Sequence, residues 1–303
     1  MANSIALAQK FVPVIDDIYK AGSVTQILDA QTQNVDFAGV NTVKVLKVST
    51  TGLGDYSRTT GYPKGDVTAS WEALTLSEER GKEISIDRMD DEETLGMAFG
   101  AVTGTFMRDN VIPELDAYRF AKYASTSGIL SKTATAALTK DTIISEIDDA
   151  VKSMDANEVP ADGRILFVNS DLKPVLNKAL SREWGNDSVI NTGITNYNGM
   201  QIVYVVPSRF YSAITLNDGV PVTSESSTTV SWGYAKGTSA KALNFMIIYP
   251  QAVLQAKKFA LPKIFTPDEN QTMDAWKFQF RLYHDAFVYD NKAKGIFAHI
   301  ANA

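Results

Sequence analysis

The longest regular pattern in the chain runs from Asp90 to Ser125, where apolar residues recur at steps of four and three and only the position of Asn110 is skipped. This spacing puts them on one stripe of an α-helix, so it predicts a single long amphipathic helix. The stripe consists of Leu95, Phe99, Val102, Phe106, Pro113, Ala117, Phe120 and Ala124. At about 1.5 Å per residue the helix would be roughly 50 Å long. We expect it to act as a spine with one face buried along its whole length.

The ends and the middle of this spine carry their own signals. Asp90 and Glu93 are spaced as a capping box, and Gly128 follows the predicted end. Pro113 lacks a backbone N–H and crowds the preceding turn. We therefore expect a kink or restart between Asn110 and Pro113.

Gly96, Gly100 and Gly104 recur at every fourth position of the spine. Such spacing makes a smooth groove that another backbone can approach closely. The acidic start of the helix, together with Arg108 and Asp109, excludes a membrane span. We expect an N-terminal arm or a neighbouring subunit's loop to cross this groove.

The chain before the spine predicts an arm and an extended loop. Residues 1–40 show only short, broken helical patterns, and valines from Val43 to Val48 predict a strand. After a glycine-rich stretch, alternating residues at 67–77 and 84–87 flank a charged segment at 78–81, which predicts a β-hairpin with its turn there. Roughly forty residues thus precede the spine, against the usual four to six in a connection, so we interpret the excursion as functional.

Three aromatic residues of this excursion, Tyr56, Tyr62 and Trp71, are candidate contact residues. Exposed aromatic residues bind sugars or nucleotides in some proteins, but on extended arms they more often anchor protein contacts. With the three spine glycines, they form our predicted set of subunit-interface residues.

Helical and strand patterns alternate after Gly128 and predict a mixed α/β domain. The predicted helices are 143–154, 171–180 and 251–257, and residues 223–231 are predicted to form an exposed loop. The predicted strands are 165–168, 201–206, 243–249, 259–265, 276–283 and 296–300. We expect the last of these strands to build a sheet that packs against the spine.

Composition excludes several kinds of protein. The 303 residues include 35 acidic and 29 basic ones, giving a net charge of -6, which is not the footprint of a nucleic-acid binder. A protein that only surrounds nucleic acid needs no such footprint. There is no cysteine, so disulfides, thiol catalysis and thiolate metal sites are excluded. The N-terminus is not patterned as a signal peptide, and no stretch predicts a membrane helix.

The sequence offers no convincing catalytic, cofactor or metal site. His284 and His299 lie in predicted strands, where satisfied structural histidines are the simpler interpretation. The segment GYAKGTS at 233–239 lacks the lysine of a phosphate-binding loop, and the acids at 87–93 are explained by a helix start. An enzyme using Asp171 and Arg182 beside the 165–168 strand is the alternative, and it would require a deep polar pocket.

The order of these parts resembles the major capsid protein of tailed bacteriophages, which has the Hong Kong 97 capsid fold. The segments GLGDYSRTTGYPKGDVTASWEALTLSEERGKEISIDRMDDEE and NVIPELDAYRFAKYAS are similar to the extended-loop and spine region of that family. GMQIVYVVPS and YHDAFVYDNKAKGIFAHI are similar to its central and C-terminal strands. The resemblance implies an α+β fold with an N-arm at 1–42 and an extended loop at 43–88. It also implies a peripheral domain at 89–128 and 255–303 and an axial domain at 129–254.

The same resemblance implies a structural role with no chemical step. Subunits would assemble into hexamers and pentamers of an icosahedral virion shell around double-stranded DNA, in the host cytoplasm. A portal protein, a separate scaffolding protein and a decoration protein are the implied partners. Crosslinking through Lys64 is not expected, because no partner residue can be identified. A nanocompartment shell of the same fold is the alternative, and gene neighbours would separate the two.

Overall fold

The computed structural model describes residues 23–29, 42–93, 102, 104–179, 195–223 and 228–302. Most of the predicted N-arm, together with Gly96, Gly100 and Arg182, therefore lies outside the described residues. The α-helices are α1 Gln26–Asp29, α2 Arg88–Glu93, α3 Ile112–Ser125, α4 Ile143–Asp155 and α5 Lys173–Ala179. Short 3₁₀-helices lie at Ser170–Leu172, Pro207–Arg209, Pro250–Ala252 and Asp290–Gly295.

A six-stranded mixed sheet forms the centre of the molecule. Its strands are β4 Leu130–Thr133, β5 Ile165–Asn169, β6 Asn196–Tyr197, β7 Met200–Val205, β12 Leu243–Ile248 and β15 Ile296–Ile300, in the spatial order β4–β15–β12–β5–β7–β6. The β6–β7 turn uses Asn198 and Gly199 at φ 48° and 76°, the left-handed conformation that a tight hairpin turn of the Asn-Gly type requires. Helices α4 and α5 cover one face, and α3 contributes to the core on the other.

A three-stranded antiparallel sheet lies beside the spine. It consists of β3 Glu78–Asp87, β13 Val253–Phe265 and β14 Ala275–Val288, with β14 in the middle. Its apolar face packs on the spine near the beginning of α3. Phe278, Phe280 and Leu282 of β14 contact Leu115 there. Part of the predicted spine-packing sheet is thus confirmed.

Two strands form a ribbon of their own. β1 Thr42–Thr50 pairs with β2 Val67–Thr75 in antiparallel register, from Thr42 opposite Thr75 to Thr50 opposite Val67. Two smaller antiparallel pairs are β8 Ile214–Leu216 with β11 Tyr234–Lys236 and β9 Pro221–Thr223 with β10 Thr228–Val230. The predicted exposed loop at 223–231 therefore contains a strand of a short hairpin.

The spine has a break where Pro113 predicts one. Residues 104–106 are helical, Met107–Val111 form a π-helical turn, and α3 follows with Pro113 in its first turn. The N–H of Ile112 bonds to the carbonyl of Met107, five residues back. Because proline cannot donate a backbone hydrogen bond, a widened turn before it accommodates the missing donor.

Several predictions about individual elements are wrong. The spine is not amphipathic over α3, because Asp116 and Arg119 are buried as well as the apolar stripe. Residues 253–257 belong to β13 rather than to a helix, because they pair with β14. The charged segment 78–81 is the start of β3 rather than a turn, since β2 pairs with β1 and β3 pairs with β14.

The last strand also packs against the spine, but in a different sheet from β13 and β14. β15 pairs with β12 and β4 of the six-stranded sheet. Its side chains are buried on both faces, because Ile296 and Ala298 share a core with α3 while Phe297 shares one with α4. The α+β class is confirmed, whereas the domain limits remain predictions.

Candidate assembly surfaces

The β1–β2 ribbon exposes both of its faces. The first five residues of β2 are all exposed, although in a half-buried strand alternate residues would be covered. Val48, Val67 and Trp71 are 52%, 69% and 65% exposed. Since a lone two-stranded hairpin is marginally stable in water, a ribbon with this much exposed apolar surface is suited to lie on another surface.

The base of the ribbon is fixed to the body of the molecule. Val43 and Leu76 are buried in a small cluster with Leu254 and Ala256 of β13. Lys47 adds an ion pair to Asp290 at 3.4 Å on the surface. The ribbon thus projects from an anchored base.

The tip of the ribbon is an ordered turn carrying two of the predicted contact residues. The rings of Tyr56 and Tyr62 meet edge to face with centroids 5.0 Å apart. Ser57 and Gly61 exchange backbone hydrogen bonds of 3.2 and 2.8 Å, and Gly61 takes φ 81°. Tyr56 and Tyr62 remain 59% and 86% exposed, while Trp71 lies apart from them on β2.

Gly104 is the member of the predicted glycine groove that the structure describes. It is helical and exposed, and a Cβ added to it would meet nothing within 4 Å. Among the described residues of a single chain, nothing therefore fills the space beside Gly104. The crossing of the groove by an arm or a neighbour's loop remains a prediction.

A buried polar cluster on α3, which the sequence did not indicate, fixes the segment before α1. Asp116 accepts hydrogen bonds from Ser23 Oγ at 2.8 Å, from Thr25 Oγ1 at 2.6 Å and from the backbone N–H groups of Val24 and Thr25. Arg209 forms an ion pair with the same carboxylate at 3.2 Å. The apolar periodicity of the spine did not indicate this cluster, because a buried polar residue such as Asp116 does not contribute to that pattern.

Arg119 completes the same attachment one turn further along. Its guanidinium donates to Thr25 Oγ1 at 2.7 Å and pairs with Asp29 at 3.2 Å, and Lys257 reaches Asp29 at 2.6 Å. The charges and hydrogen-bonding groups of this cluster pair with one another, so we interpret the cluster as structural.

Arg80 joins three parts of the molecule. Its Nε donates to Glu114 at 2.7 Å, and its Nη1 donates to the carbonyl of Asn217 at 2.8 Å. A longer bond of 3.4 Å runs from Nη2 to the carbonyl of Gly233. The loop between β8 and β11 is therefore held against both β3 and the spine.

The histidines are buried strand residues as expected, but His284 Nδ1 and His299 Nε2 have no hydrogen-bond partner, so they are not fully satisfied. Burial lowers the pKa of His284 to about 4, and its ring meets Tyr118 edge to face. Burial likewise lowers the pKa of His299, which stacks on Phe245. In the described part of the chain, no group of three or more histidine, aspartate or glutamate side chains could hold a metal ion.

The alternative catalytic residues are not brought together by the described structure. Asp171 is exposed in the 3₁₀ turn after β5, and Arg182 lies outside the described residues. The segment 233–239 forms β11 and a turn rather than a phosphate-binding loop. Among the described helices, none is both long and apolar enough to cross a membrane.

The fold matches those of solved bacteriophage capsid structures. A chain from the capsid of cyanophage P-SCSP1u has a TM-score of 0.63 and 14% identity, covering 98% of this chain and 93% of its own. A chain from Mycobacterium phage Che8 has a TM-score of 0.60 and 15% identity, with 98% of each chain covered. A chain from the capsid of an empty GTA particle has a TM-score of 0.54 and 11% identity, covering 98% of this chain and 95% of its own.

These similarities extend over nearly the whole chain at 11–15% identity, so they establish the fold. No family model and no curated protein matches the sequence. The chain has the fold of phage capsid proteins.

Proposed function

We propose that this chain is the major capsid protein of a tailed bacteriophage, a structural protein of the virion without a catalytic step. The observation that carries the proposal is the exposed β1–β2 ribbon on a chain whose fold, over its full length, is that of phage capsid chains. A ribbon exposed on both faces is costly to a monomer but useful to a shell, where each copy covers its neighbour.

The shell would consist of hexamers and pentamers of this chain closed around double-stranded DNA. The acidic net charge of -6 supports enclosure rather than tight binding, because a strongly basic lining would hold DNA by counterion release. A portal protein, a separate scaffolding protein and a decoration protein remain proposed partners. The interface would include Tyr56, Tyr62, Trp71 and the glycine groove.

Light scattering and negative-stain electron microscopy of the purified chain test the proposal. Capsomers or closed shells are expected, either from the chain alone or after co-expression with a scaffolding protein from its gene neighbourhood. A chain that stays strictly monomeric under both conditions would contradict the proposal. Neighbouring portal and terminase genes would indicate a phage, whereas a neighbouring cargo enzyme would indicate a nanocompartment.

A further inference from the structure

A cavity of about 310 Å³ lies between residues 106–115 of the spine, β3 and β14. Its walls include the apolar side chains of Phe106, Leu115 and Phe280. This volume is at the lower end of the range of ligand sites, roughly 300–1,000 Å³. The cavity therefore suits a single large side chain better than a cofactor.

One buried polar atom at this cavity lacks a hydrogen-bond partner, and one lysine beside it contacts an aromatic ring instead of a carboxylate. His284 lines it, is 2% exposed, and its Nδ1 has no hydrogen-bond partner. Lys82 places its Nζ 3.3 Å from the centroid of the Trp232 ring, and it has no carboxylate within ion-pair distance in the described part of the chain. A fitting ligand would thus be an aromatic group that carries a hydroxyl and stands next to a negative charge.

We propose that this cavity receives the ribbon tip of a second copy of the chain, with the Tyr56 ring inside it and the Asp55 carboxylate beside Lys82. Asp55 and Tyr56 are both exposed, and Asp55 has no cationic partner among the described residues. The Tyr56 hydroxyl offers the Nδ1 of His284 a hydrogen bond, and the ring would lie against the apolar part of the wall at Phe106, Leu115 and Phe280. The inference rests on the proposed function, and it specifies one contact of the shell.

The geometry of the ribbon argues for a second copy rather than the same chain. β1 and β2 pair over their full lengths, and at about 3.3 Å per residue a nine-residue ribbon is roughly 30 Å long. Lys82 follows the base of this ribbon by a few residues, so the ribbon carries the tip away from its own cavity. Tyr62 is the poorer candidate because no acidic residue lies within two positions of it, whereas Asp55 adjoins Tyr56.

The tip is also organised before it binds. The backbone bonds between Ser57 and Gly61 hold the turn, and Ser57 Oγ accepts from the N–H groups of Thr59 and Thr60 at 3.2 Å each. A preformed turn loses less conformational entropy on docking than a flexible loop. This favours a specific contact over a general apolar one.

Charge reversal with rescue tests the contact under conditions in which the wild-type chain assembles. Asp55→Lys and Lys82→Asp should each lower the yield of shells by about tenfold or more, because each puts like charges in contact. The double variant should recover most of the wild-type yield. Tyr56→Phe should weaken assembly, whereas the matched Tyr62→Phe should not. Circular dichroism and urea denaturation of the unassembled chains confirm that each variant folds.

The absence of natural cysteine allows an independent test in which two single variants are mixed before assembly. Asp55→Cys with Lys82→Cys should give a disulfide-linked pair of chains under oxidation. Asp55→Cys with Asp162→Cys, an exposed turn residue, should not. A normal shell yield from Asp55→Lys, together with no crosslink between the Asp55→Cys and Lys82→Cys chains, would overturn this inference and leave the proposed function standing. A wild-type chain that never assembles would overturn both.

Discussion

Asp116 is a fully buried carboxylate on α3, with the segment at 23–25 and Arg209 gathered around it. Replacing Asp116 by alanine would leave Arg209 and several N–H and O–H donors without their acceptor. Breaking a buried pair by removing one partner costs about 3–5 kcal/mol. We expect Asp116→Ala to lower the free energy of unfolding of the unassembled chain by this amount, as measured by urea denaturation.

The control for this prediction is Asp162→Ala, since Asp162 lies in an exposed turn. Exposed substitutions of this kind change stability by roughly 0.5 kcal/mol or less. If Asp116→Ala proves as mild as the control, the cluster does not hold the segment before α1 and our structural interpretation of it fails.

His284 gives a second prediction, concerning pH. Burial lowers its pKa to about 4, whereas an unfolded histidine titrates near 6.5. Between these values the unfolded chain binds the proton and the folded chain does not, so stability is lost as pH falls from about 6.5 to 4. The full difference corresponds to about 3 kcal/mol.

Comparison with His284→Gln isolates this contribution, because carboxylates also titrate in the same range. The wild-type chain should lose more stability than the variant between pH 6.5 and 4.5, measured by urea denaturation at each pH. Equal losses in the two proteins would show that His284 is protonated in the folded chain at an ordinary pH.

The elements differ in how far the sequence could predict them, and pairing explains the difference. Helix α4 was predictable because its apolar residues share one face, and strand β5 because it is a short continuous apolar run that is buried on both faces. The partner of β2 was not predictable, because alternation in β2 and β3 is the same whether they pair with each other or with β1 and β14. The start of β13 was predicted as a helix because its sequence pattern does not show that it pairs with β14.

The spine contains one feature that the sequence could predict and one that it could not. Pro113 made the break before α3 predictable, because a missing N–H is a property of one residue. The burial of Asp116 and Arg119 was not predictable, since it depends on residues that are roughly ninety positions away in sequence, such as Thr25. Of the candidate interface, the exposed aromatics could be predicted, but the cavity at Lys82 and His284 could not.

The ribbon carries the third prediction. Trp71 is 65% exposed on β2, so its side chain contributes little to the stability of the single chain. If the ribbon lies on a neighbour, Trp71→Ala should strongly reduce the yield of shells in light scattering while changing the free energy of unfolding by about 0.5 kcal/mol or less.

Leu254→Ala is the matched contrast, because Leu254 is buried at the ribbon's base. It should destabilise the chain itself by about 2–5 kcal/mol. A Trp71→Ala chain that unfolds like the Leu254 variant would place Trp71 in the subunit core and contradict the ribbon's proposed role.

The chain as a whole is acidic, and several of its basic residues form ion pairs inside the fold. Arg80, Arg119 and Arg209 all pair with carboxylates inside the fold, and two of them are almost fully buried. The cations left for DNA phosphates are therefore fewer than the 29 in the sequence. A shell built in this way would confine DNA without holding it.

This leads to the fourth prediction, that the chain does not retain double-stranded DNA. Fluorescence anisotropy with a labelled duplex should show no binding tighter than about 100 μM at physiological salt, the weak end of non-specific binding. The same chain with six added C-terminal lysines serves as the positive control, and its binding should weaken steeply as salt rises. Submicromolar, salt-sensitive binding by the unmodified chain would mean that a basic surface forms despite the net charge, and the shell would then anchor DNA directly.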